Sequence, residues 1–129
     1  MVLDEIGGYL QTNQVGKLGE TIFLGILPDA PDDVIAIYEY GGEQPYYVHD
    51  KVGISYDTPR VQFVVRSSSY STARQTADTL YKLMGRCVNK VVGGTYYVAI
   101  QPLQPPFLLN RDANQRVLIA FNAQVIKEA

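Results

Sequence analysis

The pattern of apolar and polar positions changes period once, sharply, within residues 59–85, PRVQFVVRSSSYSTARQTADTLYKLMG. Val61, Phe63 and Val65 alternate with Gln62, Val64 and Arg66, which predicts a strand with one wholly apolar face and one mixed face. Pro59 is tolerated at the start of a strand but not in its middle, so it marks the expected boundary. The serines at 67–69 break the period of two. From Tyr70 onward Ala73, Ala77, Leu80 and Met84 recur in steps of three and four, one face of an α-helix. Ser69, Ser71 or Thr72 can cap its start, and Thr72 with Gln75 has the capping-box spacing. Arg74, Asp78 and Lys82 lie four apart on the opposite, wet face. Gly85 is placed to end the helix in a left-handed conformation. A half-buried strand followed by an amphipathic helix must pack together, so this unit is expected to form the core.

Residues 2–13 place Val2, Leu3, Ile6, Tyr9 and Leu10 on one helical stripe, with Asp4 and Glu5 in the first turn, where the helix dipole favours acids. Gly7 and Gly8 each cost such a helix about 1 kcal/mol relative to alanine, so it has to dock on something to persist. Residues 16–19, bounded by glycines, punctuate the chain. Strands are expected at 21–27 and 34–40; the PDAPDD connector has turn chemistry throughout, so the two read as a hairpin. Residues 41–58 are polar, tyrosine-rich and aperiodic, and a loop of this length in a compact domain is usually functional or mobile. Val91 and Val92 face residues 96–100 across Gly93 and Gly94, a second hairpin signal. Pro102, Pro105 and Pro106 enforce an extended bend, residues 110–114 form a polar turn, and residues 116–127 alternate as a long final strand with Val117, Ile119, Phe121, Ala123 and Val125 on one side. Two helices and about six strands, grouped rather than alternating, predict an α+β fold: a mainly antiparallel or mixed sheet with both helices on one face.

Composition narrows this picture modestly. A chain of 129 residues is expected to be one domain, 1–129, with enough buried surface to need no staple. Its 47% hydrophobic and 19% charged content is that of a globular protein, and a net charge of −2 argues against a broad nucleic-acid surface. Ten tyrosines and no tryptophan suit interfaces as well as cores. A single cysteine, Cys87, forbids an internal disulfide and favours a reducing compartment, or simple indifference to redox. The opening MVLDEIGGYL lacks a basic segment, so no signal peptide is expected, and no apolar run approaches the ~20 residues that span a bilayer.

Catalytic chemistry finds little to work with. His49 is the sole histidine, so any Ser–His or Cys–His device must use it, and Cys87 closes a helix on its apolar side as a small core residue would. No metal-ligand spacing is present; Asp29, Asp32 and Asp33 lack a calcium-loop pattern and read as a solvated turn. Gly16 and Lys17 do not complete a phosphate loop, because position 11 is Gln and position 18 is Leu. Arg60, Arg66, Arg74 and Arg86 are scattered over different elements and read as surface charges. Neither a cofactor nor an enzymatic reaction is expected.

The order of these segments, with LPDAPDDVIAIYEYGG, then VQFVVRS and the helix after it, then the turn of Asn110, Arg111 and Asp112 before the last strand, resembles the minor capsid or tail-terminator (tail-completion) proteins of long-tailed bacteriophages and prophages. The resemblance runs over nearly the whole chain. Such proteins often carry Gly before the Arg–Asp of that turn; Asn110 stands here, and Asn also accepts left-handed backbone. The resemblance implies a structural subunit that assembles into a ring, typically a hexamer, on the last tier of a tail tube. Such a ring stops tube growth and presents its other face to head-completion or connector proteins. It implies a place in the tail or neck of the virion after assembly in a bacterial cytoplasm, with genomic DNA passing through the lumen unbound and no membrane involved. In this reading Tyr46, Tyr47 and Tyr56 are contact residues, and His49, Asp50 and Lys51 line a rim or the lumen. Arg111 and Asp112 pair across a subunit boundary or form a salt bridge within their turn. The competing readings are another head–tail connector or neck protein, a small enzyme using His49 or Cys87, and a peptide-binding module offering the edge of its last strand.

Overall fold

The computed structural model describes residues 2–47 and 55–128. Two helices, α1 (Val2–Thr12) and α2 (Tyr70–Gly85), accompany seven strands: β1 (Ile22–Leu24), β2 (Val34–Tyr47), β3 (Ser55–Ser67), β4 (Val88–Val92), β5 (Thr95–Pro102), β6 (Phe107–Arg111) and β7 (Val117–Glu128). They form one mixed sheet in the order β1-β2-β3-β7-β5-β4, and β6 pairs with the first part of β7. The fold is α+β, as the grouping of elements predicts.

The period of two sets which face carries the core. Antiparallel pairing aligns Ile35 with Val65 and Val65 with Ile119, then Ile37 with Phe63 and Phe63 with Phe121. These rows, continued by Val61, Val117, Ala123 and Val125, are buried together with Val2, Ile6 and Leu10 of α1 and Ala73, Ala77, Leu80 and Met84 of α2. Phe63 and Phe121 stack with centroids 4.9 Å apart, and Tyr81 of α2 meets Phe121 edge-on at 5.8 Å, arrangements that suit the quadrupoles of the rings. Ser69 caps α2 by accepting the Thr72 N–H, and Arg74 pairs with Asp78 on the outer face at 3.6 Å. Cys87 is fully buried in the same core.

The first helix is held by polar as well as apolar contacts. The Glu5 carboxylate accepts hydrogen bonds from the Thr95 hydroxyl and, at 2.8 Å, from the Tyr97 hydroxyl. The Lys90 ammonium lies 5.7 Å from the Tyr9 ring centroid. The hairpin that supplies Thr95 and Tyr97 turns through Gly93 and Gly94 with φ of 56° and 83°, the two consecutive positive values that a tight hairpin turn demands.

Several expectations are corrected. Residues 21–40 do not make a hairpin: β1 runs parallel to β2, pairing Ile22 with Ile35 and Leu24 with Ile37. The connection between them instead brings Leu27 onto the sheet's other face, against a small apolar cluster of Ala36, Val64, Leu118 and Ala120. Pro59 lies inside β3, not at its start. The β2–β3 ladder shifts register beside it, between Tyr40 and Gly42 on β2, the kind of irregularity at which a residue without an N–H is tolerated. Gly85 is the last helical residue and is not left-handed; the cap is Arg86, whose N–H returns to Lys82 and Leu83. The bend after Pro106 becomes β6, and residues 41–47 and 55–58 extend β2 and β3 rather than forming a loop.

Candidate assembly surfaces

At one end of the sheet two arginines fasten two connections, the 28–33 segment and the turn before β7. The Arg116 side chain, 7% exposed, pairs through Nε with Asp112 Oδ2 at 2.8 Å, through Nη2 with Asp29 Oδ1 at 2.9 Å and through Nη1 with Asp32 Oδ1 at 3.2 Å. Arg66, also buried, donates to the carbonyls of Pro31 (2.6 Å) and Asp32 (3.2 Å). Burial and the neighbouring Arg116 lower the proton affinity of Arg66, while the aspartates Asp112, Asp29 and Asp32 partly restore it. Burial pushes the Asp112 carboxyl up. Bonds from the backbone N–H groups of Arg116 and Asn114 and from the Arg116 guanidinium outweigh that and hold it below the usual carboxylate range. A buried cation needs this many acceptors to offset its lost hydration. The arrangement fixes the 28–33 segment against the turn before β7. Asp29 and Asp32 are solvated, as a turn's aspartates are expected to be, but each also holds Arg116; the reading of Arg66 as a surface charge is corrected. Only the parity of β3 and β7, which puts Arg66 beside Leu118 on the partly covered back face, points to this cluster from sequence.

The predicted contact residues are dispersed. Tyr46 and Tyr47 end β2, where they pair with Tyr56 and Ser55 of β3, so Tyr46 and Tyr56 are brought side by side in register. His49, Asp50 and Lys51 lie outside the described residues. Arg111 ends β6 and donates to the Gln115 carbonyl at 3.0 Å, whereas Asp112 is taken by Arg116. The ion pair of this turn is thus Asp112–Arg116 rather than Arg111–Asp112.

Besides the outer side of the short β1, three strand edges are left open among the described residues. On β2, the Ile35 N–H donates to the Thr21 carbonyl (2.8 Å) and the Ile37 carbonyl accepts from the Gly25 N–H (2.7 Å); beyond Ile37 no strand pairs on that side. Strand β4 has β5 as its one partner and carries Val91 at 70% exposure, together with Lys90 and with Asn89 at φ 50°. Strand β6 pairs with β7 and presents Leu108 and Leu109, 54% and 46% exposed, where the register shifts between Leu108 and Asn110. Among the described residues no group of three or more His, Cys, Asp or Glu is placed to hold a metal ion. A groove of about 280 Å³ beside the start of α2, lined by Val15, Thr21, Asp33, Ser67, Thr72 and Thr76 among others, brings together no nucleophile and base pair.

The described residues form a helix-backed mixed sheet with open strand edges. The model of the bacteriophage tail terminator protein family matches residues 9–129. The chain belongs to the bacteriophage tail terminator family, and membership makes it a structural virion protein rather than an enzyme. Its fold is similar to that of a chain in a solved structure described as "Virion of native gene transfer agent (GTA) particle". The TM-score is 0.64 at 13% identity, over 97% of this chain and 94% of the other. Comparison with curated proteins finds no match.

Proposed function

We propose that this protein closes the tail tube of a phage-like particle as a homo-oligomeric ring. The ring, of six subunits by the family pattern, ends tube polymerisation and offers its outer face to head-completion proteins. The observation that carries this reading is the family match over residues 9–129. Three further features support it. The sheet leaves edges on opposite sides of the subunit, as a head-to-tail interface that closes into a ring requires. A net charge of −2 suits a lumen through which DNA must slide without being gripped. The likeness to a chain of a gene transfer agent virion fits a place in such a particle.

The test is assembly of the cognate tail-tube protein with and without this protein, with tube length read by negative-stain microscopy. Tubes of limited length tipped by a ring are expected in its presence and overlong tubes in its absence. Tubes of unchanged length whose heads fail to join would instead assign it to the head–tail joint as a connector.

A further inference from the structure

We propose that subunits join edge to edge, the β6 edge of one copy receiving the open β2 edge of the next, so that one sheet continues from subunit to subunit. This rests on the ring reading above and names the surfaces that close it. The two edges lie on opposite sides of the sheet, separated by β3 and β7, so the contact is heterologous and propagates. An unpaired strand edge is a template for another strand, and soluble proteins blunt the edges they do not use with charges and twisted backbone. The β4 edge is blunted in this way, by Lys90 and by the left-handed Asn89. The β6 edge also carries a charge, Arg111, and a register shift, but it turns two adjacent leucines, Leu108 and Leu109, into water.

The partner edge complements it. Ile35 and Ile37 spend their outward backbone groups on the β1 side, and the alternation of the strand puts those of Glu39 next on the same side, with no partner strand among the described residues. The segment 38–47, YEYGGEQPYY, carries Glu39 and Glu43 and no basic residue, while FLLNR of β6 carries Arg111 and no acidic one. Antiparallel or parallel, the pairing sets tyrosine-bearing, acidic backbone against a leucine-rich, basic strand, the combination that cross-strand pairs favour. Pairing of β6 with itself would put like charges together and close a dimer, not a ring.

The experiment is cross-linking with a short bis-maleimide during assembly on tail-tube protein, using the full chain with Glu39→Cys and Leu108→Cys together and each alone. Cys87 stays silent, because it is fully buried and burial pushes its thiol up. The double variant is expected to give a ladder through trimer to the full ring, and neither single variant any cross-linked product. Capping of tubes by the uncross-linked double variant checks that it still folds. Capped tubes without a ladder, or dimers from Leu108→Cys alone, overturn the edge pairing while leaving the ring reading standing. Absence of both capping and rings in the unmodified protein strikes at the ring reading itself, and this pairing falls with it.

Discussion

Replacing Tyr97 by phenylalanine removes one oxygen from the interior and nothing else. Tyr97 is fully buried, and its hydroxyl donates at 2.8 Å to the Glu5 carboxylate, tying β5 to the first turn and a half of α1. A hydrogen bond to a charged acceptor is worth roughly 1.5–3 kcal/mol. Glu5 keeps its bond from Thr95, so the carboxylate is not orphaned and the loss belongs in the lower half of that range. For a chain of this size each kcal/mol moves the melting temperature by about 3–5 °C, which predicts a fall of roughly 4–10 °C in thermal unfolding. The alkaline limb gives a second readout. Burial, then the hydrogen bond and charge of Glu5, raise the pKa of Tyr97 above its ordinary value. A group whose folded pKa is raised contributes stability that is present below its unfolded value, roughly pH 10 for tyrosine, and loses it progressively as pH rises toward the folded one. Stability of the unsubstituted protein should therefore fall more steeply above about pH 10 than that of Tyr97→Phe. Urea titrations at neutral and alkaline pH, with Glu5→Gln to complete a double-mutant cycle, measure both. A coupling below about 0.5 kcal/mol together with parallel alkaline limbs would refute the assignment of this bond as the anchor of α1.

Three further outcomes follow from the packing. Phe121→Ala empties the space between Phe63 and Tyr81 and should cost about 3–5 kcal/mol in denaturant unfolding. Gly16→Ala would set a Cβ 2.6 Å from Thr21 Oγ1 and 2.9 Å from Cγ1 of the fully buried Ile22, so it should destabilise by about 1–3 kcal/mol, read by the same titration. Asp112→Asn should flatten the acid limb. The depressed carboxyl contributes stability above its unfolded value and loses it as pH falls below roughly 4, so the unsubstituted protein, but not the variant, should show this component in an acid titration followed by circular dichroism.

Local periodicity determined much of this protein by itself. The β3–α2 unit was legible because a strand buried on one face must alternate, and a helix buried on one face must repeat every three to four residues. Its buried set of Val61, Phe63, Val65, Ala73, Ala77, Leu80 and Met84 is the one the spacing predicts. The final strand, the first helix and the Gly93–Gly94 turn were legible for the same reason. Order of segments was also enough to suggest the tail terminator family. What pairs with what is a different kind of fact, because strand partners are set by contacts distant in sequence. The chain between residues 24 and 34 has turn composition in either case. Only the placement of Arg66 and Arg116, which reach it from β3 and from the start of β7, makes it a fastened crossover and turns β1 parallel to β2. The tyrosine-rich stretch shows no period of two, yet backbone pairing with β3 carries residues 41–47 on as strand. Likewise β6 is short, and its residues 108–111 are exposed, so it leaves no alternation to read. Its existence, and the open edges that follow from it, were decided by the tertiary structure, where β7 is long enough to bind β5 and β6 end to end along one side.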